Sequence, residues 1–112
     1  MESKVGIDLV YIPRFAKTIE TRGENFLKKI FLESELSQGF DVNHLAGIFA
    51  GKEAVIKALS LEIGSWLKIR IFEQKSGEPK VQLLHKQYQA SKFDISISHD
   101  HEYAIAIFSI LI

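Results

Sequence analysis

The chain has 112 residues, 14 Lys and Arg against 14 Asp and Glu, 46% apolar residues and no cysteine. That length makes one domain, residues 1–112, with enough apolar content for a core, and zero net charge excludes a protein whose main task is coating nucleic acid or an acidic membrane. Disulfides, thiolate zinc sites and thiol catalysis are excluded too; with no signal-peptide form and no apolar run near the ~18 residues of a membrane span, a cytoplasmic protein is expected.

Lys4 to Ile12 predicts a first strand, with Val5, Ile7 and Leu9 alternating with Gly6, Asp8 and Val10. Asp8 is the odd member. A carboxylate in an apolar strand must be paired, hydrogen-bonded or bound to a cation. Two readings stand for it: a strand-end residue that caps or pairs, or a functional group. Pro13 is suited to open a helix. Phe15 and Ile19 point one way; Arg14, Lys17 and Arg22 point elsewhere. Gly23 should break this helix, and a second short one carries Phe26, Leu27, Ile30 and Phe31. The segment from Pro13 to Ile30 carries a net +3. It is either a solvated face or a docking patch for an acidic partner.

Glu33 to Leu36 reads as one helical turn, and Ser37 to Asn43 as a loop, with Asn43 as the expected N-cap of the next helix. That helix, Leu45 to Leu59, is the centre of the chain. Leu45, Ile48, Phe49, Val55, Ile56 and Leu59 form a core stripe. Ala46, Ala50, Ala54 and Ala58 recur every fourth residue and form a smooth strip for close approach. Gly47 and Gly51 each cost about 1 kcal/mol against Ala, so they serve close packing of a backbone or ligand. Glu53 and Lys57 have the favourable i, i+4 order for an ion pair.

From Trp66 the period changes to two. Leu67, Ile69 and Ile71 predict a strand, Lys75 to Pro79 a turn, and Val81 and Leu83 its hairpin partner. Phe93, Ile95 and Ile97 predict another strand, Asp100 to Glu102 a turn, and Tyr103 to Ile112 a last strand. The near-continuous apolar run of that last strand predicts burial on both faces. The result is an α+β domain, an antiparallel sheet packed against a long central helix. Ser98-His99-Asp100-His101 ends a core strand. It is either a polar hairpin turn or a functional cluster, and its spacing alone makes a poor zinc site.

Three polar features remain: Gly6-Ile7-Asp8, Lys52-Glu53-Ala54 with Lys57, and Ser96-Ile97-Ser98-His99. Two carboxylates with a lysine are equipment for Mg²⁺ and a phosphate. In this order and at this chain length, the sequence resembles the holo-acyl-carrier-protein synthases, the short bacterial type of 4′-phosphopantetheinyl transferase. The resemblance runs from Val5 to Phe108. It implies transfer of the phosphopantetheine arm from coenzyme A to a serine of apo acyl carrier protein, releasing adenosine 3′,5′-bisphosphate. It also implies a Mg²⁺ requirement, the 4′-phosphopantetheinyl transferase fold, and a homotrimer with active sites at subunit boundaries.

By the same resemblance Asp8 and Glu53 match the metal-binding carboxylates. Glu53, Lys57 and His99 match the catalytic groups. Lys57, Gly64 and His99 match coenzyme-binding positions, and Arg14, with Lys17 and Arg22, matches the carrier-docking helix. The serine proton goes to Glu53 or to a water beside the metal. The chain also departs from the family. Ile48 stands where the family commonly has Arg; the loop 39–44 is short and not basic; and Leu61-Glu62-Ile63-Gly64 keeps only the end of a Gly-rich turn. In the family the first two features help hold the coenzyme's 3′-phosphate. Weak coenzyme affinity, a different carrier and a degenerate enzyme all follow as options. A non-catalytic trimeric module of the same fold, binding a carrier protein without modifying it, is the alternative function, and an unrelated α+β binding domain is a third.

Overall fold

A computed structural model of the chain describes residues 1–37, 39 and 41–112. Strand β1 (Ser3–Tyr11) leads directly into helix α1 (Ile12–Ile30), with Pro13 in its first turn. Gly23 (φ 68, ψ −150) breaks the helical geometry inside α1, as its sequence position requires. A short helix α2 (Glu33–Leu36) precedes the central helix α3 (Val42–Leu59). Strands β2 (Ile69–Glu73) and β3 (Pro79–Leu83) form a hairpin, and β4 (Lys92–Asp100) and β5 (Tyr103–Leu111) form another.

The antiparallel structure is two sheets. One has the order β1-β5-β4 and the other is the β2-β3 hairpin. Alternation sets which residues of β1 face the helix. Gly6, Asp8 and Val10 do, opposite Phe108, Ala106 and Ala104 of β5. Helix α3 lies diagonally across the larger sheet. Its start touches β4, where Gly47 meets Ile97 and His99; its end touches β1, where Gly6 lies under Ala54 and Ala58. The alanine strip and the core stripe both pack inward, leaving only Phe49 half-buried. That explains a helix apolar nearly all round: it is covered by a sheet on one side and by α1 and the hairpin elsewhere.

Gly6 is the tightest point of this packing. A Cβ there would lie 1.9 Å from the Ala54 carbonyl oxygen. The oxygen belongs to the backbone and a Cβ is fixed rigidly to it, so neither can swing away. Gly6→Ala is expected to cost about 3 kcal/mol, seen as a lower urea midpoint with little change in slope.

Four expectations are corrected. The central helix starts at Val42, and its N-cap is Asp41, whose Oδ1 accepts from the Asn43 N–H at 3.0 Å, not Asn43. Of the loop before it, Gln38 and Phe40 lie outside the described residues. Ser65–Lys68 is a 3-10 turn, so the strand expected from Trp66 begins at Ile69. Strand β5 is buried on one face only: Ala104, Ala106, Phe108 and Ile110 point inward, and Tyr103, Ile105, Ile107 and Leu111 are exposed. The outer face continues onto β1, where Val5, Ile7 and Leu9 are 53–60% exposed. An alternating strand tells which residues share a face, not which face meets water.

Candidate active site

Polar groups gather at the two ends of α3. At its C-terminal end, close approach over Gly6 brings Lys57 above Asp8. Lys57 Nζ donates to Asp8 Oδ1 at 3.0 Å and to the Ile7 carbonyl at 3.1 Å. The expected Glu53–Lys57 pair is replaced by this one. A helical i, i+4 pair is worth only about 0.2–0.5 kcal/mol. The half-buried Asp8 carboxylate, with a carbonyl beside it, holds the ammonium better.

Glu53 is thereby left without a cation of its own. Burial pushes its pKa up, and the Asp8 carboxylate pushes it further. The Trp66 indole and Lys57 offset part of this. The indole N–H comes near Glu53 but completes no hydrogen bond of ordinary geometry. Two carboxylates that raise each other's energy are a demand for positive charge. Among the described residues no three His, Cys, Asp or Glu side chains converge. Mg²⁺ is ordinarily held by one or two carboxylates, with water and phosphate oxygens completing six positions. Asp8 and Glu53 fit that pattern.

His99 belongs to the other end. Its Nε2–H donates to the Asn43 carbonyl at 2.9 Å, in the first turn of α3. Gly47 makes the room: a Cβ there would lie 2.9 Å from His99 Nε2. His99 is therefore anchored to α3 through Nε2. Beside it is a cavity of about 140 Å³, lined by His44, Ile48, Glu73, Gly77 and Pro79 among others. His44 Nδ1 is 3.6 Å from Glu73 Oε1. Among the described residues no Lys or Arg lines this cavity.

Asp8, Glu53 and Lys57 thus come together as expected, while His99 does not join them. It stands opposite Val10 with β5 between. Two strand spacings separate β1 from β4, about 10 Å. Gly64 is exposed, with φ 95, at the start of the 3-10 turn.

Arg14, Lys17 and Arg22 do share one surface of α1, with Thr18 and Thr21 between them. Arg14 lies over the Tyr11 ring at 5.4 Å and Arg22 over Phe26 at 5.3 Å. A second hollow adjoins, lined by Tyr11, Phe15, Phe26 and Phe49. Phe49 lies one helical turn before Glu53, so the basic surface, the aromatic hollow and the carboxylates are contiguous. The hollow was not foreseen; its aromatic residues lie far apart in sequence.

Lys52 was read only as part of a motif. It is fully buried and donates to Glu35 Oε1 (2.6 Å), the Ile30 carbonyl (2.7 Å) and the Trp66 carbonyl (3.1 Å). Glu35 in turn accepts from the Leu32 N–H at 2.7 Å and the Ile71 N–H at 2.9 Å. Burial lowers the Lys52 pKa, and Glu35 opposes that. One ion pair therefore ties α1, α2, α3, β2 and the Trp66 turn together.

With this geometry in place, comparison with known proteins is informative. The family model of the 4′-phosphopantetheinyl transferase superfamily matches residues 4–108. The chain is 43% identical over 107 residues to a holo-[acyl-carrier-protein] synthase of Thermodesulfovibrio yellowstonii, covering 91% of this chain and 92% of that protein. It is 38% identical over 112 residues to the Protochlamydia amoebophila protein of the same name, covering 91% and 92%. Its fold superposes on the Helicobacter pylori holo-[acyl-carrier-protein] synthase in complex with coenzyme A with a TM-score of 0.87. There the identity is 32%, over 96% of this chain and 99% of that one. The Neisseria meningitidis enzyme gives a TM-score of 0.87 at 27% identity, covering 97% and 98%. The chain belongs to the 4′-phosphopantetheinyl transferase superfamily.

Proposed function

We propose that the protein moves the 4′-phosphopantetheine arm of coenzyme A onto a serine of an apo acyl carrier protein, in a Mg²⁺-dependent reaction that leaves adenosine 3′,5′-bisphosphate. The observation that carries this reading is the convergence of Asp8, Glu53 and Lys57 at the crossing of β1 and α3. The groups that would hold Mg²⁺ are Asp8 and Glu53, and the ion would neutralise the charge of the pyrophosphate. Lys57 is half-exposed on a flexible stem, so it can leave Asp8 and follow the phosphoryl oxygens as charge builds. A glutamate with a raised pKa is a stronger base than an exposed one, which suits Glu53 to take the serine proton.

The carrier approaches across α1. Acidic partners are steered by a basic surface, and the aromatic hollow offers its apolar side chains a seat beside the reacting groups. Arg14→Ala is expected to raise the KM for carrier about tenfold and leave the KM for coenzyme A unchanged. Steady-state kinetics with each substrate varied separately checks this.

The cavity beside His99 suits the nucleotide end of the coenzyme. Its Glu73 and Ile48, with no Lys or Arg, give a 3′-phosphate a weak hold. Because β5 separates His99 from the carboxylates, a complete site needs His99 from another copy. The exposed apolar face of β1 and β5 is the surface that copies would share in a homotrimer. Ile107→Glu is expected to give a monomer in sedimentation experiments and to reduce transfer at least about a hundredfold. Wild-type protein sedimenting as a monomer would remove the shared-site reading.

The reaction itself is tested by chromatography of the nucleotide products. Release of adenosine 3′,5′-bisphosphate only when coenzyme A, apo carrier and Mg²⁺ are all present supports the transferase. Carrier binding with no release favours the docking module.

A further inference from the structure

Trp66 is the chain's one tryptophan, and its indole N–H is buried with no hydrogen-bond partner among the described residues. Buried indole N–H groups nearly always find an acceptor. This one is held in place from two sides. Its ring lies against Phe49, with centroids 6.5 Å apart, and its backbone carbonyl accepts from the buried Lys52 Nζ at 3.1 Å. Lys52 is itself fixed by Glu35 and the Ile30 carbonyl. Phe49, Lys52 and Glu53 occupy adjacent turns of α3, so an indole anchored on the first two lies beside the third. Its unpartnered N–H comes near the Glu53 carboxylate and stops short of bonding.

We propose that Trp66 is a positioning residue for Glu53: its indole N–H donates to one carboxylate oxygen when the other faces a divalent cation shared with Asp8. The donor fixes which way the carboxylate turns. Glu53 sits on a helix with rotamers open to it, and a carboxylate that turns freely binds a metal weakly. The Lys52–Glu35 pair gains a role in this arrangement, since it anchors the turn that carries the donor. This inference rests on the metal-binding reading of Asp8 and Glu53.

The test uses Trp66→Phe, which keeps an aromatic ring against Phe49 and removes the N–H donor along with part of the indole's volume, so the thermal midpoint is followed beside it. With coenzyme A present and carrier absent, Mn²⁺ binding is followed by electron paramagnetic resonance. The variant is expected to bind Mn²⁺ about tenfold more weakly than the parent, with a thermal midpoint within a few degrees of it. In the parent, Trp66 fluorescence should shift saturably as Mg²⁺ is added, and Glu53→Gln should abolish that shift. Equal Mn²⁺ affinities in parent and variant overturn the positioning role and leave the metal site standing. No Mn²⁺ binding by the parent overturns the metal site and the role of Trp66 together.

Discussion

Asp8→Ala and Glu53→Ala are each expected to reduce transfer to an acyl carrier protein about a thousandfold or more without unfolding the protein. Each removes one of the two carboxylates that fit the cation, and a thousandfold corresponds to about 4 kcal/mol of transition-state stabilisation. The fold survives because neither side chain is part of the core. Glu53→Gln goes further: it should raise the thermal midpoint of the metal-free protein at neutral pH while abolishing transfer. The sign follows from the pKa. Glu53 is raised above its unfolded value by burial and by Asp8. The stability it contributes is fully present below the unfolded pKa and is lost as pH rises through the folded one. At neutral pH the ionised carboxylate therefore opposes folding, and glutamine removes that opposition. A Glu53→Gln protein less stable than the parent at neutral pH would show that Glu53 is a structural ion-pair residue.

Lys52→Ala is expected to have the largest effect on stability, about 4–5 kcal/mol. It leaves the Glu35 carboxylate buried at 2% exposure without its cation and opens a void in α3's packing. For a domain of this size that is a large share of the total stability and lowers the thermal midpoint by roughly 15–25 °C. Lys52→Met fills the void but still strands the carboxylate, so it recovers only part. The double variant Lys52→Met with Glu35→Gln should recover more, because glutamine is neutral and its oxygen can still accept from the Leu32 or Ile71 N–H. Chemical denaturation of the parent, Lys52→Met, Glu35→Gln and the double variant measures the coupling. Additive losses would mean that the pair is not the unit that holds α2 and the Trp66 turn to the helix.

These residues show how far the sequence could be read. The 3.6-residue periodicity and alanine strip of α3, the break at Gly23 and the Ile69–Leu83 hairpin are local patterns, and all appear in the fold. The three polar segments were visible as polar residues in apolar elements. Pairing between distant residues was not visible. Lys52 reaches Glu35 across 17 positions, and Lys57 reaches Asp8 across 49. Only the fold brings them together, so Lys57 was first assigned to the nearest carboxylate on its own helix. The apolar run of β5 failed for another reason. Burial of one face by α3 and an apolar character on the other produce the same run of letters as a strand buried on both.

Group transfer to the carrier is read directly by the intact mass of the carrier. An apo acyl carrier protein is incubated with this protein, coenzyme A and Mg²⁺, beside a sample containing EDTA and a carrier whose acceptor serine is replaced by alanine. A gain of one phosphopantetheine arm is expected in the first sample and none in the two controls. No gain with several apo carriers at high coenzyme A concentration, while the carriers still bind, would contradict group transfer and leave a docking module with the fold of a transferase.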